Sequence, residues 1–126
     1  MKLRLQDNSI RFRLTQSEVA ALAAGARVEV SVRFAAAPAD PLIYSVETSA
    51  QCSEVRAERS ECEICVILPH DLTRLWATTS RVAIEHHQRI GPEAFLSISV
   101  EKDFRCLHSG RAADDADNFP NPADTS

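Results

Sequence analysis

The chain has 126 residues, of which 44% are hydrophobic and 25% charged, and its formal net charge at pH 7 is −4. This length and composition suit one globular domain with a substantial core. The acidic balance gives no electrostatic reason to expect nucleic-acid binding. Charged and apolar residues alternate from the start, so neither a signal peptide nor a membrane span is predicted, and a cytoplasmic location is expected.

The first half predicts a hairpin, a helix and two further strands. Residues 2–6 and 9–14 alternate apolar and polar side chains around a turn-forming Asp-Asn pair, which is typical of a hairpin. The sequence TQSE at 15–18 is a capping box and Gly25 is a natural helix stop, so a short helix is expected between them. The strands that follow are predicted at 28–32 and 42–47.

The second half repeats this order of elements. Strands are predicted at 54–58, 61–68, 81–86 and 95–101, with a short helix opened by Pro69. When residues 10–48 are aligned without gaps on residues 64–102, an offset of 54 positions, ten of the 39 pairs are identical. The pattern indicates a duplicated hairpin-helix-strand-strand unit. Chance similarity between two amphipathic stretches is the alternative.

We therefore expect an α+β fold of mostly antiparallel β-sheet with two short helices, arranged as a two-layer sheet or in a barrel-like closure. Residues 1–108 are predicted to form a single domain, with repeated units at 1–48 and 55–102. Residues 109–126 are predicted to be an acidic, proline-containing tail. Because the next proline favours extended backbone at Phe119, and an exposed phenylalanine is costly, we expect this ring in a groove of the domain or of a partner. A disordered tail is the alternative.

The pattern Cys62-x-x-Cys65 raises the question of a zinc site, with Cys52 and Cys106 completing four thiolates. In a strand, however, Cys62 and Cys65 point to opposite faces. The segment also lacks the glycine that usually helps a zinc knuckle to turn. Cys62 and Cys65 are therefore expected to be buried thiols, and all four cysteines are expected to be reduced.

Three histidines are expected to have structural roles. His86 and His87 are adjacent in a predicted strand, so their side chains point to opposite faces. His86 aligns with Val32 in the repeat, which favours a core or rim histidine over a metal ligand. His70 is expected in the exposed first turn of the second helix.

Ionisable groups are concentrated where the second unit ends, and this segment holds the candidate binding residues. They are Glu101, Lys102, Asp103, Cys106, His108 and Phe119. Cys106 and His108 would share a strand face and are weak candidate ligands for a soft metal ion, with later aspartates completing the site. A buried thiol and a solvated histidine are the alternative. No cofactor and no catalytic residue is predicted, because no group that would orient a Cys–His nucleophile can be named.

Three segments resemble a small bacterial family of uncharacterised proteins, a domain-of-unknown-function family. They are NSIRFRLTQSEV (8–19), VEKDFRCL (100–107) and DADNFPNP (115–122). The resemblance covers nearly the whole chain and is most specific in the closing VEKDF-x-CL and D-x-FPNP motifs. It implies a cytosolic bacterial single domain without a known activity. It also implies that Cys62 and Cys65 are particular to this chain, whereas Cys106 belongs to a shared motif.

The leading functional hypothesis is a non-enzymatic binding or interaction module that uses residues 101–122. We expect a protein or small-molecule partner, no nucleic acid and no membrane, and a monomer or homodimer. The alternative is a small metal-dependent enzyme built from duplicated units, as in the glyoxalase and bleomycin-resistance superfamily, although no matching motif is present. Its candidate residues are Cys106, His108 and one of His70, His86 or His87.

Overall fold

The computed structural model describes residues 1–104 and 117–120. Within these ranges all the predicted strands and both helices are present, with boundaries that differ by a few residues. The elements are β1 (Lys2–Gln6), β2 (Ser9–Leu14), α1 (Gln16–Ala23), β3 (Val28–Val32), β4 (Leu42–Ser49), β5 (Arg56–Arg59), β6 (Glu63–Pro69), α2 (His70–Thr78), β7 (Ala83–Gly91) and β8 (Ala94–Lys102). No helix in the described ranges is long and apolar enough to cross a membrane.

The strands form two four-stranded sheets. The first sheet has the order β1-β2-β8-β7 and the second has the order β3-β4-β6-β5. Each hairpin is antiparallel, which confirms the predicted α+β class, but the central pairs β2–β8 and β4–β6 are parallel. Each helix carries the chain from a hairpin in one sheet to a hairpin in the other. Among the described strands the sheets do not join into a closed barrel, so the barrel-like alternative is wrong.

The two sheets have corresponding registers in their central strands. Ile10 faces Ile98 across the β2–β8 pair, and Tyr44 faces Ile64 across the β4–β6 pair. Ile64 follows Ile10 by 54 positions and Tyr44 precedes Ile98 by 54 positions, which is the offset of the sequence repeat. The two sheet units are therefore similar, while their descent from a duplication stays a prediction.

The hairpin of β7 and β8 departs from this correspondence by two residues. Ile98 faces His86 in this hairpin, whereas Tyr44 faces Val30 in the hairpin of β3 and β4. His86 therefore corresponds to Val30, and the predicted correspondence with Val32 is wrong. The ungapped alignment missed the shift because the connection between β7 and β8 is much shorter than that between β3 and β4.

Helix α1 begins and ends where its local sequence predicts. The Thr15 backbone N–H donates to Glu18 Oε1 at 2.9 Å, and the Glu18 N–H donates to Thr15 Oγ1, which completes the capping box. At the other end Gly25 has a φ of 94°, a conformation that side chains disfavour. Its N–H donates to the carbonyl of Leu22 and closes the last turn.

The core lies between the two sheets and includes one face of each helix. Leu22 of α1 and Trp76 of α2 occupy corresponding positions, and both are fully buried. The Trp76 indole N–H donates to the Val82 carbonyl at 3.1 Å, so burial leaves its polar atom satisfied. The rings of Phe12 and Tyr44, which belong to different sheets, lie 6.3 Å apart between their centroids.

Candidate functional site

Glu101 lies on the outer face of the first sheet between two arginines. The parallel register of β2 and β8 places Glu101 opposite Arg13, and Arg11 is two residues before Arg13 on the same face. The carboxylate of Glu101 contacts Nε of Arg11 at 3.3 Å and Nε of Arg13 at 3.4 Å. One predicted site residue therefore holds two cations from the other end of the chain.

A second predicted site residue, Asp103, anchors a third cation. Its side chain is buried, and its carboxylate contacts Nζ of Lys2 at 3.1 Å. Its backbone N–H donates to the Leu14 carbonyl at 2.8 Å, which fixes the residue at the end of β2. We use the name basic face for the outer surface of the first hairpin. It consists of Lys2, Arg4, Arg11 and Arg13, which together with Leu3 line a depression of about 180 Å³.

The basic face contains two pairs of like charges in directly opposite positions. Lys2 faces Arg13 and Arg4 faces Arg11 across the antiparallel β1–β2 pair. Such opposition destabilises a sheet, typically by a few tenths of a kcal/mol up to about 1 kcal/mol per pair. Arg4 has no ion pair with any residue in the described ranges. The carboxylates of Glu101 and Asp103 therefore neutralise the positive charge of the basic face only in part.

The corresponding hairpin of the second sheet shows that the fold does not require this charge. Across β5–β6, Arg56 faces Ile67 and Glu58 faces Cys65, so neither pair opposes two cations. Near this hairpin, Arg27 contacts Glu63 at 2.8 Å and Glu47 at 3.9 Å. The outer face of the second sheet is therefore dominated by carboxylates, in contrast with the basic face.

Cys65 is buried within this acidic outer face. Its thiol donates to Glu47 Oε1 at 3.3 Å. Burial raises the pKa of the thiol to about 11, so the group stays protonated at neutral pH and is a poor nucleophile and metal ligand. Cys62 is half-buried and lies one residue before β6 begins. Cys52, Cys62 and Cys65 are free thiols, and the burial predicted for Cys62 and Cys65 is found at Cys65 but is only partial at Cys62.

Two of the predicted metal ligands, Cys106 and His108, lie outside the described residues. Within residues 1–104 and 117–120, no three side chains of histidine, cysteine, aspartate or glutamate are arranged to hold a metal ion. His70 begins α2, far in sequence from the adjacent pair His86 and His87 in β7.

Phe119 is anchored in the domain itself, which is one of the two locations predicted for its ring, the other being a groove of a partner. Its ring packs on the core, 5.8 Å from the ring of Phe104, and its backbone N–H donates to the Asp103 carbonyl at 2.6 Å. Lys102 is buried beside it and donates from Nζ to the Thr79 carbonyl at 2.7 Å. Burial lowers the pKa of Lys102. Lys102 and Phe119 therefore serve the packing of the segment in this structure.

Sequence reasoning missed a set of contacts between Asp117 and the start of α1. The Asp117 carbonyl accepts from the Gln16 N–H at 2.9 Å, and its carboxylate accepts from the Ser17 hydroxyl at 2.5 Å. The hydrogen bond from Ser17 lowers the pKa of Asp117. The Asn118 carbonyl also accepts from Gln16 Nε2 at 3.2 Å. The D-x-F part of the closing motif is thus explained by anchoring.

Sequence reasoning also missed a cleft between the two sheets. The cleft has a volume of about 620 Å³ and follows the facing edges of β5 and β7. Residues 51–57 line one side, and residues 86–89, including His86 and His87, line the other. His87 Nδ1 lies 3.2 Å from the Ser97 hydroxyl oxygen. Only the packing of the sheets brings these segments together, so no local pattern indicates the cleft.

Comparison with known proteins gives one positive result. The sequence profile described as "Family of unknown function (DUF7009)" matches residues 1–123, nearly the full length of the chain. No curated protein and no solved structure matches the chain. The match agrees with the resemblance to an uncharacterised family and supplies no activity. The chain therefore belongs to the family of unknown function DUF7009.

Proposed function

We propose that this protein is a non-enzymatic binding module whose basic face recognises an acidic segment of a partner protein. The observation that carries the proposal is the direct opposition of Lys2 to Arg13 and of Arg4 to Arg11. The arrangement costs stability and sits on a chain whose net charge is −4. A partner carboxylate would relieve the repulsion that the folded chain retains.

The start of the 101–122 segment organises this face. Glu101 contacts Arg11 and Arg13 through their Nε atoms, which leaves the terminal guanidinium nitrogens for carboxylates of a partner. Arginine forms paired hydrogen bonds with carboxylates through such nitrogens. Glu101 and Asp103 are therefore proposed as positioning residues, and the cations are proposed as the contacts.

The geometry favours an extended acidic segment over a single small anion. The basic face spans two strands, and its cations are spaced along them at alternate residues. The depression that they line is shallow, about 180 Å³, and three of the four cations are exposed. Exposed charges of this kind contribute mainly to the association rate and to partner choice, and their effect is screened by salt.

The proposal can be tested with a fluorescein-labelled peptide of ten glutamates and fluorescence anisotropy. We expect binding at low ionic strength that weakens steeply as salt is added. An Arg4→Gln/Arg11→Gln double variant should bind at least tenfold more weakly. The matched control is Arg59→Gln, which removes an exposed arginine of β5 on the other sheet and should bind like the unmodified chain.

Two results would contradict the proposal. One is the absence of measurable binding at low ionic strength. The other is an equal loss of affinity in Arg59→Gln, which would indicate attraction without a defined surface. A ten-lysine peptide serves as the charge control and should not bind the basic face. Thermal unfolding of each variant shows whether the fold is intact.

A further inference from the structure

The two sheets meet along β5 and β7, and we call this junction the seam. At the seam the side chain of Gln88 makes hydrogen bonds that a neighbouring strand would otherwise make. Gln88 belongs to β7, at the edge of the first sheet, and Ala57 belongs to β5, at the edge of the second. Gln88 Oε1 accepts from the Ala57 N–H at 2.7 Å, and Gln88 Nε2 donates to the Ala57 carbonyl at 3.1 Å. The primary amide therefore satisfies both backbone groups of one residue.

Those two hydrogen bonds are the pair that a neighbouring antiparallel strand would make with Ala57. In a regular ladder one residue exchanges both its N–H and its carbonyl with the residue opposite. Here a side chain supplies the same donor and acceptor, so β5 and β7 are joined without pairing directly. A third strand lying between them would require a separation of about twice the usual strand spacing of about 4.8 Å.

The remaining backbone groups along the seam face a cleft. In the described part of the chain, β5 pairs only with β6 and β7 pairs only with β8, so each presents an unpaired edge. The cleft of about 620 Å³ runs between these edges. β7 extends for nine residues and β5 for four, so pairing with β5 would be short and β7 would flank the bound segment along its length.

The lining of the cleft has two arginines, Arg56 and Arg89, and one carboxylate, Glu54. Arg56 contacts the carboxylate of Glu58 at 2.8 Å, whereas Arg89 lies on the opposite side of the cleft. The Arg89 guanidinium donates to two carbonyls of its own turn and has no ion pair with a described residue. A bound segment would therefore gain from acidic side chains.

We propose that the seam between β5 and β7 binds an extended acidic peptide, which pairs with the β5 backbone and displaces the amide of Gln88. This is strand addition, in which the main chain supplies hydrogen bonds and alternate side chains contact the flanking surface. The seam is separate from the basic face, because β7 and β1 are the two opposite edges of the first sheet. The inference therefore does not depend on the proposed function.

The test uses an acetylated and amidated peptide of four Thr-Glu repeats, and its affinity is measured by isothermal titration calorimetry. Gln88→Ala removes the competing amide and should tighten binding about fivefold, the worth of roughly one hydrogen bond. Ala57→Pro removes the N–H donor of β5 and should weaken binding at least tenfold. Gln6→Ala, a glutamine at the opposite edge in β1, is the matched control and should change nothing.

A second measurement protects the test against variants that do not fold. In the unmodified chain, peptide addition should change the amide resonance of Ala57 in a nitrogen–proton spectrum and leave that of Arg4 unchanged. A peptide in which alternate residues are N-methylated cannot pair and should not bind. Unchanged or weaker affinity in Gln88→Ala, or equal binding of the methylated peptide, would overturn the inference.

The two proposals fail in distinguishable ways. If the Thr-Glu peptide loses affinity in Arg4→Gln/Arg11→Gln and is indifferent to Gln88→Ala, it binds the basic face and the seam inference is wrong. If the dependence is on Gln88 and Ala57 alone, the seam inference holds whatever the result for the basic face.

Discussion

The ammonium nitrogen of Lys102 lies 5.4 Å from the centroid of the Phe119 ring. The contact joins the last residue of β8 to a residue of the closing FPNP motif, and it is made beside the buried Asp103. Residues 117–119 are thereby held against both the end of β8 and the start of α1. The scaffold and its closing motif are one packed unit at this point.

Replacing Phe119 by alanine should lower the free energy of unfolding by about 1–3 kcal/mol, because a partly buried ring and its contact with Lys102 are lost. Urea denaturation measures the change. The control is Phe34→Ala, since the Phe34 side chain is 81% exposed and its loss should cost less than about 0.5 kcal/mol. Equal effects of the two substitutions would show that Phe119 does not anchor the segment.

The contact of Asp117 with Ser17 should make stability depend on pH at the acidic end. The folded chain lowers the pKa of Asp117, so the stabilisation is present above the ordinary value of 3.8 and disappears as the pH falls through the folded pKa. Ser17→Ala should therefore destabilise the chain at pH 7 and have a smaller effect near pH 3. Ser31→Ala, an exposed serine of β3, should show no such pH dependence. The urea midpoints of both variants at the two pH values decide the matter.

Cys65 should resist alkylation in the folded chain. Its pKa of about 11 leaves almost no thiolate at pH 8, and its side chain is buried. Iodoacetamide treatment followed by peptide mass spectrometry should show Cys52 and Cys62 modified well before Cys65, and all three modified in urea. Modification of Cys65 at the rate of Cys52 would contradict the structure. Because the folded chain raises the pKa of Cys65, stability should also fall as the pH rises from the ordinary thiol value of 9 toward 11.

Arg4→Glu should improve stability while weakening recognition. Arg4 faces Arg11, so the change converts a repulsive pair into an attractive one and should add a few tenths of a kcal/mol to the free energy of unfolding. Binding of the ten-glutamate peptide should fall at the same time. Urea denaturation and anisotropy on one preparation measure both. A loss of stability would show that the opposed arginines do not destabilise the folded chain, which contradicts the observation that carries the proposed function.

The corresponding core positions of the two helices should be similarly sensitive. Leu22 and Trp76 are both fully buried. Leu22→Ala should cost about 2–5 kcal/mol and Trp76→Ala about 3–5 kcal/mol, through lost transfer free energy and the cavity left behind. Leu75→Ala, on the exposed side of α2, should cost much less. Thermal unfolding ranks the three variants by stability. A mild effect at either buried position would contradict its place in the core.

Local patterns in the sequence were sufficient to locate the strands and helices. Alternation of apolar side chains, the capping box at Thr15 and the stop at Gly25 act over a few residues, so they can be recognised without knowing the fold. The offset of 54 positions also reappears in the registers of the central strands. The cost of exposing the Phe119 ring indicated an anchor, but it left open whether this domain or a partner supplies the groove.

The relations between distant segments were decided only by the tertiary structure. The parallel pairing of β2 with β8 places Glu101 between Arg11 and Arg13, and the packing of one sheet edge on the other brings Gln88 to Ala57. The opposition of the basic residues within the first hairpin follows from its two-residue turn, but their contact with Glu101 does not. A strand's pattern specifies which side chains share a face, whereas its partner strand is chosen by the packing of the whole core.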